Sequence, residues 1–317
     1  MKTGNRHGER NMEGPADRLP SPGTLVEQGK QLDVPDEPTS FRESIHQLKR
    51  NKAAVAGLVV IALFLFVGIF APLISPHNPL EQAISMRKAP PFTEGFILGT
   101  DSLGRDMLSR LIYGARISMV IGVVSVGIAL FFGLLIGVVS GYYGGWFDKI
   151  VMRIIDIMLA FPYVLLTIVI VAILGASLTN AMIAIGISQI PRYVRLVRAS
   201  VLAEKENDYV TAERSIGASN FELMFGSILP NCLAPITVQA TLGVGEAILS
   251  SAALSFLGLG AQPPTPEWGL MIASSREFIT SAWWIVTLPG IATLCAVLGF
   301  NLFGDGLRDI LDPKLRD

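Results

Sequence analysis

Glu246 stands in the middle of the apolar run APITVQATLGVGEAILSSAALSFLG, and its carboxylate is the chemistry that most needs an explanation. A charge at the centre of a membrane-spanning helix costs about 2.5 to 3.5 kcal/mol on an insertion scale, so it should face a cavity or a partner rather than lipid. Gln239, Gly243, Glu246 and Ser250 follow at separations of four, three and four residues, which places them on one helix face. Two readings are open. The line is the wall of a translocation path, or it is a structural contact in which Glu246 meets a second chain or sits protonated in a packed interface.

Other charged residues pose the same kind of choice. Arg153 and Asp156, three apart, can pair on one helix face. Arg192, Arg195 and Arg198 recur every three residues, and either snorkel to lipid headgroups or touch a partner or the loop beyond Asp208. Asp101, Arg105, Asp106 and Arg110 alternate in sign at helical spacing, which fits a local salt-bridged helix or a docking surface for an external protein. No catalytic set is evident. His7, His46 and His77 are far apart and outside the apolar runs, so no H-E-x-x-H helix forms. No G-x-x-x-x-G-K-[ST] loop is present either, so any nucleotide must be held by another chain. Cys232 and Cys295 lie in or beside apolar runs and read as small packing residues, not as a disulfide or a metal site.

These residues need helices in a membrane to position them. Of 317 residues 51% are hydrophobic and 16% charged, a balance that fits a multi-span membrane protein. The net charge of −1 gives no basic excess for nucleic acid. A span needs about 20 largely apolar residues, and backbone groups in lipid must be paired internally, so each span is a helix. Six runs qualify: Ala53 to Ile74, Ile117 to Gly141, Ile150 to Leu174, Asn180 to Leu202, Ala234 to Gly258 and Trp283 to Gly304. The first forty residues, rich in Pro, Gly and charge, read as a disordered tail. The first apolar run starts near residue 53 and reads as an uncleaved anchor rather than a signal peptide.

Lys and Arg in the short loops place both termini and the segment 203–230 on the inner side. Arg87, Lys88, Arg105, Arg110 and Arg116 are the outer exceptions. The Pro-studded stretches PHNPLEQAISMRKAPPFTEG and GAQPPTPEWG read as outer turns, and Trp268, Trp283 and Trp284 as an aromatic belt at the membrane boundary. The inner stretch DYVTAERSIGASNFELMFGSILP reads as two short helices meeting at Gly217. Its apolar residues have no lipid to face, so they either fold back on the protein or enter a groove on a partner.

The same stretch resembles the cytoplasmic EAA loop of ABC importer permease subunits. Ala212, Gly217, Ile228, Leu229 and Pro230 fit that pattern, while Thr211 stands where Glu is expected and Glu213 where the second Ala is expected. GTDSLGRDMLSRLIYGARIS, SFLGLGAQPPTPEWG and GDGLRDILDPKLR are similar to dipeptide and oligopeptide permease subunits, a pattern that nickel and glutathione permeases share in large part. The resemblance runs from about residue 40 to the carboxy terminus.

It implies an all-α, six-span membrane protein with the type I ABC importer permease fold and an extra N-terminal span, in the bacterial inner membrane. The expected divisions are a cytoplasmic tail at 1–40, an N-terminal span and outer segment at 41–98, the importer transmembrane domain at 99–305 and a cytoplasmic tail at 306–317. The implied partners are a second related permease, two ATPase subunits that bind ATP and Mg, and an external substrate-binding protein. Thr211, Ala212, Glu213, Arg214, Gly217, Phe221, Phe225, Leu229 and Pro230 would then carry ATPase coupling, and Glu246 would meet the amino group of a peptide. The alternatives are an ion-coupled secondary transporter in which Glu246 carries a proton, and an intramembrane hydrolase, for which no catalytic set is present.

Overall fold

The computed structural model describes residues 51–311, so the expected tail at 1–40 and residues 312–317 lie outside the described residues. Helix α1, Lys52–Ile69, starts where the Asn51 side chain accepts from the Ala53 and Ala54 N–H groups, and a short turn α2, Ala71–Ile74, follows. Then come α3, Met107–Tyr143, α4, Gly145–Ala160, α5, Tyr163–Leu174, and α6, Leu178–Glu204. Next are α7, Asp208–Ser215, a π-helical turn at Glu222–Ile228, a short α8, Leu229–Asn231, and α9, Leu233–Phe256. The last two are α10, Trp268–Ser275, and α11, Trp283–Leu311. The described residues hold no strand, only two isolated bridges, Thr93 with Phe96 and Thr100 with Asp106.

Four helices, α1, α3, α9 and α11, are long and apolar enough to cross a bilayer. The expected third span is not one helix: α4 and α5 are bent by 95° at Phe161 and Pro162. Pro162 has no N–H to give and drives Phe161 into an extended conformation, which ends α4. The expected fourth span is a single helix of 27 residues, but Arg192, Arg195 and Arg198 keep it out of the apolar class. The expected C-terminal tail from 306 begins within α11, which continues to Leu311.

Helix α3 is the ruler of the molecule. Its 37 residues measure about 55 Å at 1.5 Å per residue. Residues 75–106 and 259–267 gather at its start, where the buried Arg110 guanidinium donates to the Pro79 and Pro264 carbonyls at 3.0 and 3.4 Å. The segment after α6 gathers at its other end, where Tyr142 donates to Asn220 at 2.7 Å. We call these the cap end and the loop end.

Small residues set how closely the helices approach. Gly133, Gly137 and Gly141 form a stripe at four-residue spacing on α3, and Tyr193, Val197 and Val201 of α6 lie against it. A Cβ at Gly137 would stand 2.7 Å from that of Val197, and one at Gly141 2.9 Å from that of Val201. Gly57 packs α1 on α11 in the same way, its would-be Cβ 2.7 Å from the Gly299 carbonyl oxygen.

Adding a side chain in the α3 stripe should therefore destabilise by about 1 to 3 kcal/mol or more. Gly137→Leu is expected to lower the melting temperature in detergent, whereas Gly127→Leu, where a Cβ meets nothing within 4 Å, is expected to leave it in place. Equal behaviour of the two would contradict the packing described.

Candidate functional site

The loop end is built from residues that do two different things. Val210, Leu223, Met224 and Ile228 are buried against Val138 of α3 and Val197 and Val201 of α6, so this part of the stretch folds back on its own chain. Ile216 and Phe221 do not follow: they are 86% and 71% exposed. The fold-back alternative left open by periodicity holds for the buried residues, while Ile216 and Phe221 remain outside it. Gly217, at φ +95°, makes the turn between them, a conformation that L side chains rarely adopt.

Around that turn the polar groups are paired. Ser219 and Glu222 form a reciprocal cap: the Ser219 N–H and hydroxyl donate to the Glu222 carboxylate at 2.8 and 2.7 Å, and the Glu222 N–H donates to the Ser219 hydroxyl at 3.3 Å. Those donors hold the exposed Glu222 carboxyl below its usual range. Its contribution is therefore present above the ordinary carboxylate pKa and lost as pH falls through the lowered value. Glu213, half-buried, accepts from the Ser227 hydroxyl at 2.5 Å. Arg214 lies over the Tyr142 ring, 6.0 Å from its centroid. The Tyr209 hydroxyl donates to Glu204 at 2.8 Å, and burial together with that carboxylate pushes its pKa up to about 12. Phe225 stacks beside Phe221 with centroids 4.8 Å apart, Leu229 packs on the buried cluster, and Thr211, Ala212 and Pro230 are exposed.

In the middle of the bundle, the Glu246 line on α9 faces α6 and α5 of the same chain. Arg192 donates to Glu246. Arg195 meets Asp156 at 2.6 Å, and Arg198 holds Asp148 in two parallel bonds of 2.5 and 2.6 Å, with the Ser140 hydroxyl also on that carboxylate. Two expectations are corrected here. The three arginines are consumed by carboxylates rather than reaching for headgroups, and Asp156 pairs with Arg195 rather than with Arg153. Geometry gives the reason: Arg192 is 12 residues from the end of α6, about 18 Å at helical rise, too deep to snorkel. Gly243 is buried against the Tyr193 hydroxyl, which donates to the Gln239 carbonyl at 3.2 Å. Ser250 lies at the Tyr163 hydroxyl, which also meets Gln189 at 3.4 Å. Gln239 lines a cleft of about 460 Å³ with Leu196, Leu242 and Arg308.

The cap end overturns a third expectation. Asp101, Arg105, Asp106 and Arg110 are 3, 9, 2 and 3% exposed, which leaves them no surface for docking, and they are not one helix. Asp101 and Arg105 form a turn closed by a 2.6 Å ion pair, Asp106 caps α3 through the Ser109 N–H, and Arg110 lies 3.6 Å from Asp101. The belt expectation fails for two of the three tryptophans. Trp268 and Trp284 are buried, with indole N–H groups on the Leu111 and Thr100 carbonyls at 3.2 Å each, while Trp283 is exposed. Glu267, also buried, caps α10 through the Leu270 N–H at 2.7 Å, and burial raises its pKa.

Two family models cover most of this architecture. Residues 133–317 match the binding-protein-dependent transport system inner membrane component, and residues 39–91 match the N-terminal TM domain of oligopeptide transport permease C. The chain belongs to the binding-protein-dependent transport system inner membrane component family. The family is a membrane component of transport systems and not an enzyme. The chain is 52% identical over 285 residues to the di/tripeptide transport system permease protein DppC of Pseudomonas aeruginosa, covering 88% of this chain and 94% of that one. It is 53% identical over 296 residues to the dipeptide transport system permease protein DppC of Escherichia coli K12, covering 92% and 99%. Among solved structures it resembles a chain of the MetNI methionine ABC transporter in an inward-facing conformation, with a TM-score of 0.53, 18% identity, and coverage of 65% of this chain and 98% of that one. That likeness shows the type I ABC importer permease fold for this family member.

The buried cap gives a test. Removing one member of a buried ionic set costs about 3 to 5 kcal/mol. Asp101→Ala should leave Arg105 and Arg110 without their carboxylate, lower the melting temperature and open residues 79–106 to protease, while Glu94→Ala, at an exposed position, should do neither.

Proposed function

We propose that the chain is one of two related permease subunits of an ATP-driven importer of dipeptides and short peptides. In this reading the loop end faces the cytoplasm, the cap end faces outward, and both termini are cytoplasmic. Two ATPase subunits hold ATP and Mg below, and an external binding protein delivers substrate above. Residues 99–305 form the importer domain, preceded by an N-terminal span and outer segment at 41–98.

One observation carries the coupling role: Ile216 and Phe221 stand bare at the tip of a segment whose other apolar residues are buried at home. A pair of large apolar residues on a rigid, capped turn outside the bundle fits insertion into a groove on a partner. Thr211, Ala212, Arg214 and Gly217 line the exposed side of that turn, whereas Glu213, Phe225 and Leu229 brace it from behind. Movement of the groove is then passed to α6 and α9, the helices on either side of the segment, as a rigid-body switch. Peptides are the substrate class that the names of the relatives support, and nickel and glutathione importers share the same architecture. The ion-coupled alternative loses its free carboxylate, because Glu246 is engaged by Arg192.

Gly217→Pro cannot adopt the positive φ of this turn, and Phe221→Asp places a charge on the inserting face. In the importer reconstituted with its ATPases and binding protein, each should lower peptide uptake and binding-protein-stimulated ATP hydrolysis by about tenfold or more, as loss of an anchoring residue does. Membrane insertion of the chain should be intact. Undiminished stimulation of ATP hydrolysis in both variants would sink the coupling role.

A further inference from the structure

We propose that Arg192 and Glu246 form a binding site for the two charged ends of a zwitterionic peptide, Arg192 taking the carboxylate and Glu246 the ammonium group. This rests on the importer reading above.

The three arginine pairs of α6 are not equivalent. Arg198 and Asp148 are 27% and 14% exposed, lie toward the loop end, and are fixed by two parallel bonds and Ser140, which marks a brace. Arg192 and Glu246 sit near the middle of α6 and α9, yet their side chains are 50% and 31% exposed. Arg195 and Asp156 are as open, at 52% and 49%, but Arg195 lies one turn nearer the loop end and Asp156 is on α4, before the Pro162 bend. An ion pair left open on one subunit within the membrane faces a water-filled path, or the second permease across it, rather than lipid. Half-buried neutral groups flank it: the Tyr163 and Ser250 hydroxyls on one side and the Gln239 side chain on the other. Such groups can receive a peptide backbone without adding charge.

The charge arithmetic favours a zwitterion. Alone, Arg192 and Glu246 neutralise each other, so the empty path holds no stranded charge. A peptide with one positive and one negative end can exchange with that pair so that two new pairs replace one and every charge keeps a partner. A peptide blocked at either end would leave Arg192 or Glu246 unpaired, which a site built on charge rejects strongly.

The test measures binding to the assembled permease pair and ATPases in detergent, without nucleotide or binding protein, so that the binding protein's own selectivity is removed. Radiolabelled alanyl-alanine, its N-acetyl form and its carboxamide are compared by equilibrium dialysis. The native assembly should bind the zwitterion about 10- to 100-fold more tightly than either blocked form, the range that charge-assisted hydrogen bonds command. Arg192→Gln should erase the preference over the carboxamide alone, and Glu246→Gln the preference over the N-acetyl form alone. Arg192→Lys and Glu246→Asp, which keep the charges, should weaken zwitterion binding while preserving the order of the three probes, and they serve where a Gln variant fails to assemble. No binding by the native assembly, equal binding of the three probes, or preferences and affinities unaltered in the variants would overturn the site. ATP-driven uptake by the native assembly with its binding protein is followed in parallel. Its absence removes the importer reading, whereas uptake with unaltered preferences removes the site alone.

Discussion

Helix α6 carries three guanidinium groups, and each is met by a carboxylate on a neighbouring helix. Arg192, Arg195 and Arg198 reach Glu246 on α9, and Asp156 and Asp148 on α4. One helix therefore ties together the helix that continues from the loop end and the amphipathic helix before the Pro162 bend. The Gly133, Gly137 and Gly141 stripe of α3 lets α6 lie close enough for this to happen, since Tyr193, Val197 and Val201 occupy the space those glycines leave. Packing and pairing are two halves of one device. The glycines bring the backbone near, and the ion pairs fix which neighbours α6 holds.

The two ends of α3 then receive different construction. The cap end is held by buried groups with satisfied partners: Arg110 on two carbonyls, Asp101 on Arg105, and Trp268 and Trp284 through their indole N–H groups. The loop end instead ends in a turn that keeps Ile216 and Phe221 in the open. Bare apolar residues are not peculiar to the loop, since Ile84 and Phe92 are exposed at the cap end; what distinguishes Ile216 and Phe221 is that they flank a capped turn whose other apolar residues are buried. The π-helical turn at Glu222–Ile228 and the short α8 join the loop to α9, the helix that carries Glu246.

Most helices were legible from apolar runs, because burial in lipid selects composition over about 20 residues at a time. The bend at Pro162 escapes the hydropathy reading, which averages Ile150 to Leu174 into one span, although the missing N–H and the extended preference of the preceding residue are local facts. The cap of Ser219 and Glu222 escapes it as well, although its spacing is that of a capping box. The partners of Arg192, Arg195 and Arg198 were not legible, because they lie 54, 39 and 50 residues away and no local period records them. The alternating charges from Asp101 to Arg110 fit a salt-bridged helix or a docking surface, and only the fold shows that they close on one another in a buried turn and on the carbonyls of distant prolines. Trp268 and Trp284 misled for the same reason: an amphipathic ring suits a membrane boundary and a buried carbonyl equally well.

The central claim is that this chain moves substrate only as one part of an ATP-driven assembly. Liposomes holding the chain alone, and liposomes holding it with a second permease, two ATPases and the external binding protein, should be compared for uptake of a labelled dipeptide. The account predicts uptake in the second preparation alone, dependent on ATP inside and binding protein outside. Uptake by the chain alone, driven by an imposed ion gradient, would contradict it.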